Sequence, residues 1–334
     1  MFKFLVRRLL SLIPVLVGIS LLVFLFIHFI PGDPIWVMLG DFATEESVAE
    51  LRQDLGLDEP LHVQYVKYVG RLLQGDLGES IHTRNPITSD LATRLPASLE
   101  LAITAMLIAS LIGIPAGVIS AMNHRSLIDS LSMVGALIGV SLPIYVLGLF
   151  AIWIFAVQLG WLPPGGRLSP DIELERITGF HVLDSIVTRN WTALGDSLKH
   201  LTIPSIVLAT VPMAIIARIT RASLLEVFSQ DFVRTARSKG LRERSVVTRH
   251  VLKNAMLPVI TVIGIQFGVI LSGAVLTETV FSWPGIGRWV YEAIQKRDYP
   301  VVQGMTLFIG VVFLLSSLVV DALYVWLDPR IRYE

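Results

Sequence analysis

Residues Leu225 to Pro258 read LEVFSQDFVRTARSKGLRERSVVTRHVLKNAMLP, the one long, strongly basic interruption between two hydrophobic spans. From Arg234 to Lys253 this stretch holds seven Lys or Arg and a single acid, Glu243. Ser229 is placed to cap a short helix with Asp231 in its first turn, Arg237 and Lys239 in its last, and Gly240 as a left-handed stop. Those are the charge positions that a helix dipole favours. Leu225, Phe228, Phe232 and Ala236 recur at three to four residues, giving one apolar and one cationic side. Such a segment is either a topological and headgroup-contacting basic loop or a helix received by a soluble partner, and its chemistry weighs the two equally.

Both flanks of the loop are membrane-like. The chain has 334 residues, 53% hydrophobic and 16% charged, with mean hydropathy +0.68; a soluble globular protein is neither so apolar nor so poor in charge. Uncharged runs of spanning length cover Leu9 to Ile30, Leu101 to Met122, Leu201 to Ala217, Ala255 to Thr277 and Tyr299 to Val320. The first follows Lys3, Arg7 and Arg8 like a secretory signal, but it is long and ends in Pro31-Gly32-Asp33-Pro34, so it is expected to stay as a span.

Ser130 to Gly166 is uncharged for 37 residues, long for one span and barely enough for two. Charge distribution decides between them. With one span there, six helices put both termini and the basic loop on a side carrying 15 basic and 7 acidic residues, leaving 12 and 20 on the other. The positive-inside rule makes the basic side cytoplasmic. Two spans would move the basic loop outside, against that rule. The expected fold is thus an all-α membrane protein of six transmembrane helices over residues 1–334, with cytoplasmic termini and a cytoplasmic loop at 222–254.

The outer segments carry structure of their own. Residues 31–94 form an acidic, helical periplasmic segment after the first span, with five basic and eleven acidic residues. Val48, Leu51 and Leu55 share one helical side in 45–56, and Leu61, Tyr65, Tyr68, Val69 and Leu72 share one in 61–73, before a turn at Gly75-Asp76-Leu77-Gly78. Residues 160–200 are polar and aperiodic and read as a loop with short helices. Trp283-Pro284-Gly285-Ile286-Gly287 reads as a turn, followed by a short interfacial helix with Trp289, Val290, Ala293 and Ile294 on one side.

Most catalytic chemistry is missing. There is no cysteine, and no Gly-Lys pair from which a phosphate-binding loop could be built. Metal spacing of the H-E-x-x-H type and a G-x-S-x-G elbow are also absent, so the chain is not expected to be an enzyme. The apolar cores hold no Asp, Glu, Lys or Arg, which argues against ion-coupled transport by the chain alone. Glu100, Glu278 and Asp321 sit at span edges and read as headgroup anchors; His28, inside the first span, reads as a polar contact between helices. Pro115, Pro143, Pro204 and Pro212 fall within spans, where broken helices can line a passage.

Arg7-Arg8-Leu9-Leu10, Pro31-Gly32-Asp33-Pro34, Leu55-Gly56-Leu57-Asp58, Gly75-Asp76-Leu77-Gly78, Arg234-Thr235-Ala236-Arg237, Asn254-Ala255-Met256-Leu257-Pro258, Phe281-Ser282-Trp283-Pro284-Gly285, Arg297-Asp298-Tyr299-Pro300 and Asp328-Pro329-Arg330 occur in this order. In that order, over essentially the whole chain, the sequence resembles the inner-membrane permease subunits of bacterial ABC importers, most like the first permease of the dipeptide and oligopeptide class.

The resemblance implies the type I importer permease fold, a multi-pass place in the inner membrane, and alternating access. Implied partners are a second homologous permease, two cytoplasmic ATPase subunits, a periplasmic or extracellular substrate-binding protein, the lipid bilayer and a peptide substrate, with no nucleic acid. No cofactor belongs to this chain; ATP and Mg would be bound by the ATPases. The family's docking motif falls on Phe232, Arg234, Thr235, Ala236 and Gly240, with Leu257 and Pro258 as its later pair. Arg234 replaces the motif's Glu, and Leu257-Pro258 lies five residues later than in the general pattern, with His250 at its Ile position. The apolar side of the docking helix is the expected coupling surface. Pro143, Pro212, Trp283, Pro284 and Gly285 are candidates for the pathway or for contact with the binding protein. Relatives in the class carry dipeptides, glutathione, nickel complexes, heme or antimicrobial peptides, and the second outer loop looks most like the dipeptide branch. A stand-alone secondary transporter is the rival reading.

Overall fold

Within hydrocarbon a backbone must satisfy its own polar groups, and a helix does so inside one segment. The computed structural model, which describes residues 2–29, 44–54 and 58–327, is accordingly helical. In chain order its helices are α1 (Phe2–Phe29), α2 (Glu45–Asp54), α3 (Leu61–Leu73), α4 (Ile87–Met122), α5 (Leu127–Ser141) and α6 (Ile144–Ala151), the last continuing as a π-helical turn, Ile152–Gln158. There follow α7 (His181–Val187), α8 (Trp191–Phe228), α9 (Asp231–Ser238), α10 (Leu252–Gly273), α11 (Val275–Val280), α12 (Ile286–Gln295) and α13 (Tyr299–Leu327). Between α9 and α10 lie a single helical turn, Glu243–Ser245, and a π-helical stretch, Val246–Val251. The motifs at 31–34, 55–57 and 328–330, and the side chains of Leu51, Leu55 and Asp321, lie outside the described residues.

The centre is the pair α4 and α8, which run parallel. Gly113 and Gly117 let them approach: a Cβ at Gly113 would lie 2.8 Å from the Met213 carbonyl, and one at Gly117 2.5 Å from the Ala217 carbonyl. Small residues one turn apart permit such close backbone contact in membranes, where van der Waals packing must replace a hydrophobic drive. Around the pair, Ala97, Leu101, Ala105, Ala109, Leu208 and Ile216 form the core with Val259 and Ile270 of α10. α13 closes the bundle against α10 and α1; Gly310 receives Ile19 and Gly268 receives Ser316.

Five helices are long and apolar enough to cross a membrane among the described residues: α1, α4, α8, α10 and α13. The region expected as the remaining span is broken. Leu142 is extended (φ −95°, ψ 137°) and Pro143 starts α6 at φ −56°, because a residue before proline is driven out of the helical region. The helices run on through Pro96, Pro115, Pro204, Pro212 and Pro258 without such a break.

α5 and α6 nonetheless follow α8 in one direction. Asp129 meets Arg221 at 2.6 Å, Gly139 lies beside Thr210, Ile144 and Leu147 join Ile203 and Val207, and Ser169 bonds Asp196 at 2.7 Å through its backbone N–H. The register is antiparallel and unreversed from one end of α8 to the other.

Two local expectations are corrected. Ser229 does not cap α9: it ends α8 and donates to the Glu226 carbonyl at 2.7 Å, while extended Gln230 occupies the N-cap without a side-chain bond. The aperiodic 160–200 stretch carries a short helix as expected, α7, and also holds the first turns of α8. α4 and α8 begin well before the apolar runs at Leu101 and Leu201, since their opening turns pack on protein.

Beyond the spans, α3 lays Tyr65, Tyr68 and Val69 on α1, where they cluster with Phe24 and Leu307. Tyr65 bonds Ser20 at 2.9 Å and Gln64 bonds His28 at 3.0 Å, so His28 makes a polar contact between helices as expected. α12 buries Ile286, Trp289 and Ala293 against Ile87 and Leu91 of α4 and Val301 and Met305 of α13; Ile294 stays outside, 55% exposed.

Candidate functional site

At one end of the bundle, α9 is held as a rigid element. Gly240 takes φ +75° and stops the helix as its position required. Val233 and Ala236 are buried, and they cluster with Ala121 of α4, Leu224 and Val227 of α8, Val246 and Val251 of the π-helical stretch, and Ala255 of α10. Ser223 of α8 donates to the Ala255 carbonyl at 2.8 Å and draws α8 to α10. Arg237 grips Glu243 through Nη2–Oε1 at 2.6 Å and Nε–Oε2 at 3.1 Å, and lies 5.4 Å over the Phe228 ring. The Arg237 fork holds the Glu243 carboxyl below the usual carboxylate range.

The apolar side of α9 therefore faces its own chain, which corrects the coupling surface read from the sequence. Leu225 and Phe228 belong to α8, and the break at Ser229-Gln230 resets the helical phase, so Val233 points inward and Phe232 outward. The outward face carries Phe232 at 38% exposure and Leu241 at 41%, with Arg234, Thr235 and Lys239 also exposed. Leu257 is half-buried and Pro258 exposed, both within α10 rather than beside α9.

At the opposite end, a set of charges is buried in protein. Glu100 and Glu278 are 6% and 1% exposed, so they are not the headgroup anchors expected from their place at span edges. Glu100 Oε2 pairs with Arg167 Nη2 at 2.5 Å, and its Oε1 accepts the Val182 N–H at 2.8 Å. Arg167 also donates to the Gly179 carbonyl at 2.9 Å and lies over the Trp283 ring. Burial pulls the Arg167 guanidinium down from its usual range, with Glu100 opposing.

Glu278 caps α12 from ten residues upstream. It accepts the Ser98 hydroxyl at 2.5 Å and the Arg288 N–H at 3.0 Å, while Ser98 in turn accepts the Ile286 N–H at 2.8 Å. Gly285 is required because a Cβ there would overlap the Glu278 carboxylate. Trp283 donates to the Ala97 carbonyl at 2.8 Å, which fixes the turn on α4.

Within α7, burial alone would raise the Asp184 carboxyl, but it accepts from the preceding loop, through the Thr178 hydroxyl and the N–H groups of Thr178, Gly179 and Ile177, and the balance lies below the usual range.

Trp283, Pro284 and Gly285 thus come together at this end, whereas Pro143 is exposed and Pro212 is buried inside α8. The acid–arginine pair went unread because Glu100 and Arg167 are separated by a whole span, and only Glu100 stood out by position.

Comparison with known proteins agrees with this organisation. A family described as binding-protein-dependent transport system inner membrane component matches residues 113–333, and its N-terminal counterpart matches residues 1–102. The chain is 49% identical over 333 residues to a dipeptide transport system permease protein of Alkalihalophilus pseudofirmus, covering 100% of both. It is 44% identical over 338 residues to one of Escherichia coli strain K12, again 100% of both. Over 334 residues it is 41% identical to a glutathione transport system permease protein of Shigella flexneri, at the same coverage.

Proposed function

The chain belongs to the family of inner-membrane components of binding-protein-dependent transport systems, and from that premise we propose that it is one permease half of an ATP-driven importer for dipeptides. The carrying observation is the full-length identity of 44 to 49% to permeases named for dipeptide transport. In this reading the outward face of α9, with Phe232, Arg234 and Thr235, docks on a cytoplasmic ATPase. Because Val233 and Ala236 lock α9 to the ends of α4, α8 and α10, a push on α9 moves those three helices together. ATP closure in the partners then drives alternating access between this chain and a second permease, fed from outside by a substrate-binding protein.

Six crossings with cytoplasmic termini complete the proposal. The unreversed course of residues 129–169 along α8 supports one crossing for α5 and α6 together, and the uneven distribution of Lys and Arg supports a cytoplasmic α9. The end of the bundle that buries Glu100 and Glu278 is then the outer end.

Uptake of labelled dialanine into proteoliposomes tests the function. Transport should need the binding protein outside, both permeases, and ATPases with ATP inside. Uptake by this chain alone under a proton gradient would establish the secondary-transporter reading instead. Competition by glutathione decides between the two substrates named among the relatives.

A further inference from the structure

At the outer end, Thr93, Arg94, Arg167, Arg176, His181 and Pro284 line a cavity of about 300 Å³, at the small end for ligand pockets. Three of the lining side chains carry an unmet polar atom. Arg167 is 8% exposed, yet its Nε has no hydrogen-bond partner among the described residues; the same is true of Arg94 Nε and His181 Nδ1. Native structures rarely leave buried polar atoms unmet, and here two such arginines and a histidine line one cavity.

The two arginine Nε groups can only donate, whereas the His181 ring, which burial and the Arg167 charge hold toward its neutral form, presents one donor and one acceptor nitrogen; the group that meets the arginines is therefore an acceptor. The local charge gives its sign. Glu100 is engaged by Arg167 and by Val182, Asp184 by the 177–179 turn, and Glu278 by Ser98 and the start of α12. Among the described residues Arg94 has only the face of Trp289, 5.2 Å away, and exposed Arg176 adds a further positive charge at the rim while its Nη2 bonds the Thr93 carbonyl.

We propose that this cavity is a carboxylate-binding site, in which the Arg94 and Arg167 guanidiniums and the His181 ring donate to the two oxygens of one carboxylate. Planar forks suit a carboxylate better than a rounder anion, and water-poor surroundings strengthen each charge-assisted bond. Two sources supply that chemistry: the C-terminal carboxylate of a peptide, or an acidic side chain of the substrate-binding protein. Which of them matters biologically rests on the function proposed above; the site itself does not.

The experiment uses the full chain with its partner subunits in nanodiscs and reads tryptophan emission, since Arg167 and Arg94 lie over Trp283 and Trp289. Acetate, dialanine and dialanine amide are titrated against wild type, Arg94→Gln and Arg94→Lys. Replacing Arg94 breaks no hydrogen bond among the described residues and removes only its contact with the Trp289 ring, and melting temperatures of both variants check that the fold is kept. If a peptide supplies the carboxylate, acetate and dialanine produce a saturable change and the amide does not. Arg94→Gln then raises half-saturation roughly fivefold or more, and Arg94→Lys does so less.

If the binding protein supplies it, its affinity for the nanodisc complex falls about fivefold or more in Arg94→Gln, for peptide-loaded and empty forms alike. A cavity that responds to no probe while binding-protein affinity is also unchanged, or a response identical in Arg94→Gln, overturns the proposal. Probe binding without ATP-dependent uptake would leave the site standing and remove the importer reading.

Discussion

Arg167 and Glu100 meet at 2.5 Å with side chains only 7% and 6% exposed, joining the loop after α6 to the opening turns of α4. Removing one partner leaves a buried charge unpaired, which typically costs about 3–5 kcal/mol. Arg167→Met should therefore lower the melting temperature of the purified protein sharply. The double variant Arg167→Met with Glu100→Gln should recover a large part of the loss, because no lone charge remains. Additive losses would show that the two side chains act independently.

Gly117 is the tighter of the two glycines between α4 and α8. Gly117→Val should push the pair apart and destabilise by about 1–3 kcal/mol, as overpacking does. Gly70→Val in α3, where a Cβ meets nothing within 4 Å, is the control for loss of helical glycine. Equal melting temperatures for the two variants would remove the close-approach argument.

α9 separates docking from folding. Phe232→Ala with Arg234→Ala removes outward atoms only, so thermal stability should hold within about 0.5 kcal/mol while ATP-dependent uptake falls. Ala236→Leu should instead lower stability by about 1–3 kcal/mol, since its site is filled by α8 and the π-helical stretch. Loss of stability in the outward variant and none in Ala236→Leu would invert the assignment of the two faces.

Asp184 titrates below its unfolded value, so the stability it contributes is complete above about pH 4 and fades as pH falls through the folded pKa. Hydrogen exchange in residues 177–188 should stay slow at pH 5 after correction for intrinsic rates, and should rise only in stronger acid. Asp184→Asn should exchange faster at neutral pH and lose most of that acid dependence. Protection unchanged in the variant would show that the turn is held by other contacts.

Much of this architecture was legible because membrane solvation acts on long runs of residues. The spans from Leu101, Leu201 and Tyr299 fall within single helices, the one from Leu9 lies in α1 over its described residues, the one from Ala255 runs through α10 and past a break at Ala274 into α11, and Gly240 ends α9 where a left-handed stop was expected. Boundaries were less legible, because α4 and α8 continue past their apolar runs on polar turns that pack against protein rather than lipid. The face of α9 was misread for a related reason: one period was carried across a helix break that Ser229 and Gln230 make with their backbone. The cluster around Glu100 and Glu278 was the least visible part. Its partners lie 67 residues apart for Glu100 and Arg167 and 180 apart for Ser98 and Glu278, and no local period links them.

The absence of cysteine permits the most direct test of the central claim, that the outward face of α9 docks on an ATPase. A photo-crosslinking maleimide is placed on Thr235→Cys or, after brief denaturation and refolding, on buried Val233→Cys, and the assembled complex is illuminated in proteoliposomes. Thr235 should crosslink to the ATPase subunit, and Val233 to residues of its own chain. ATPase adducts from Val233 with none from Thr235 would contradict the account.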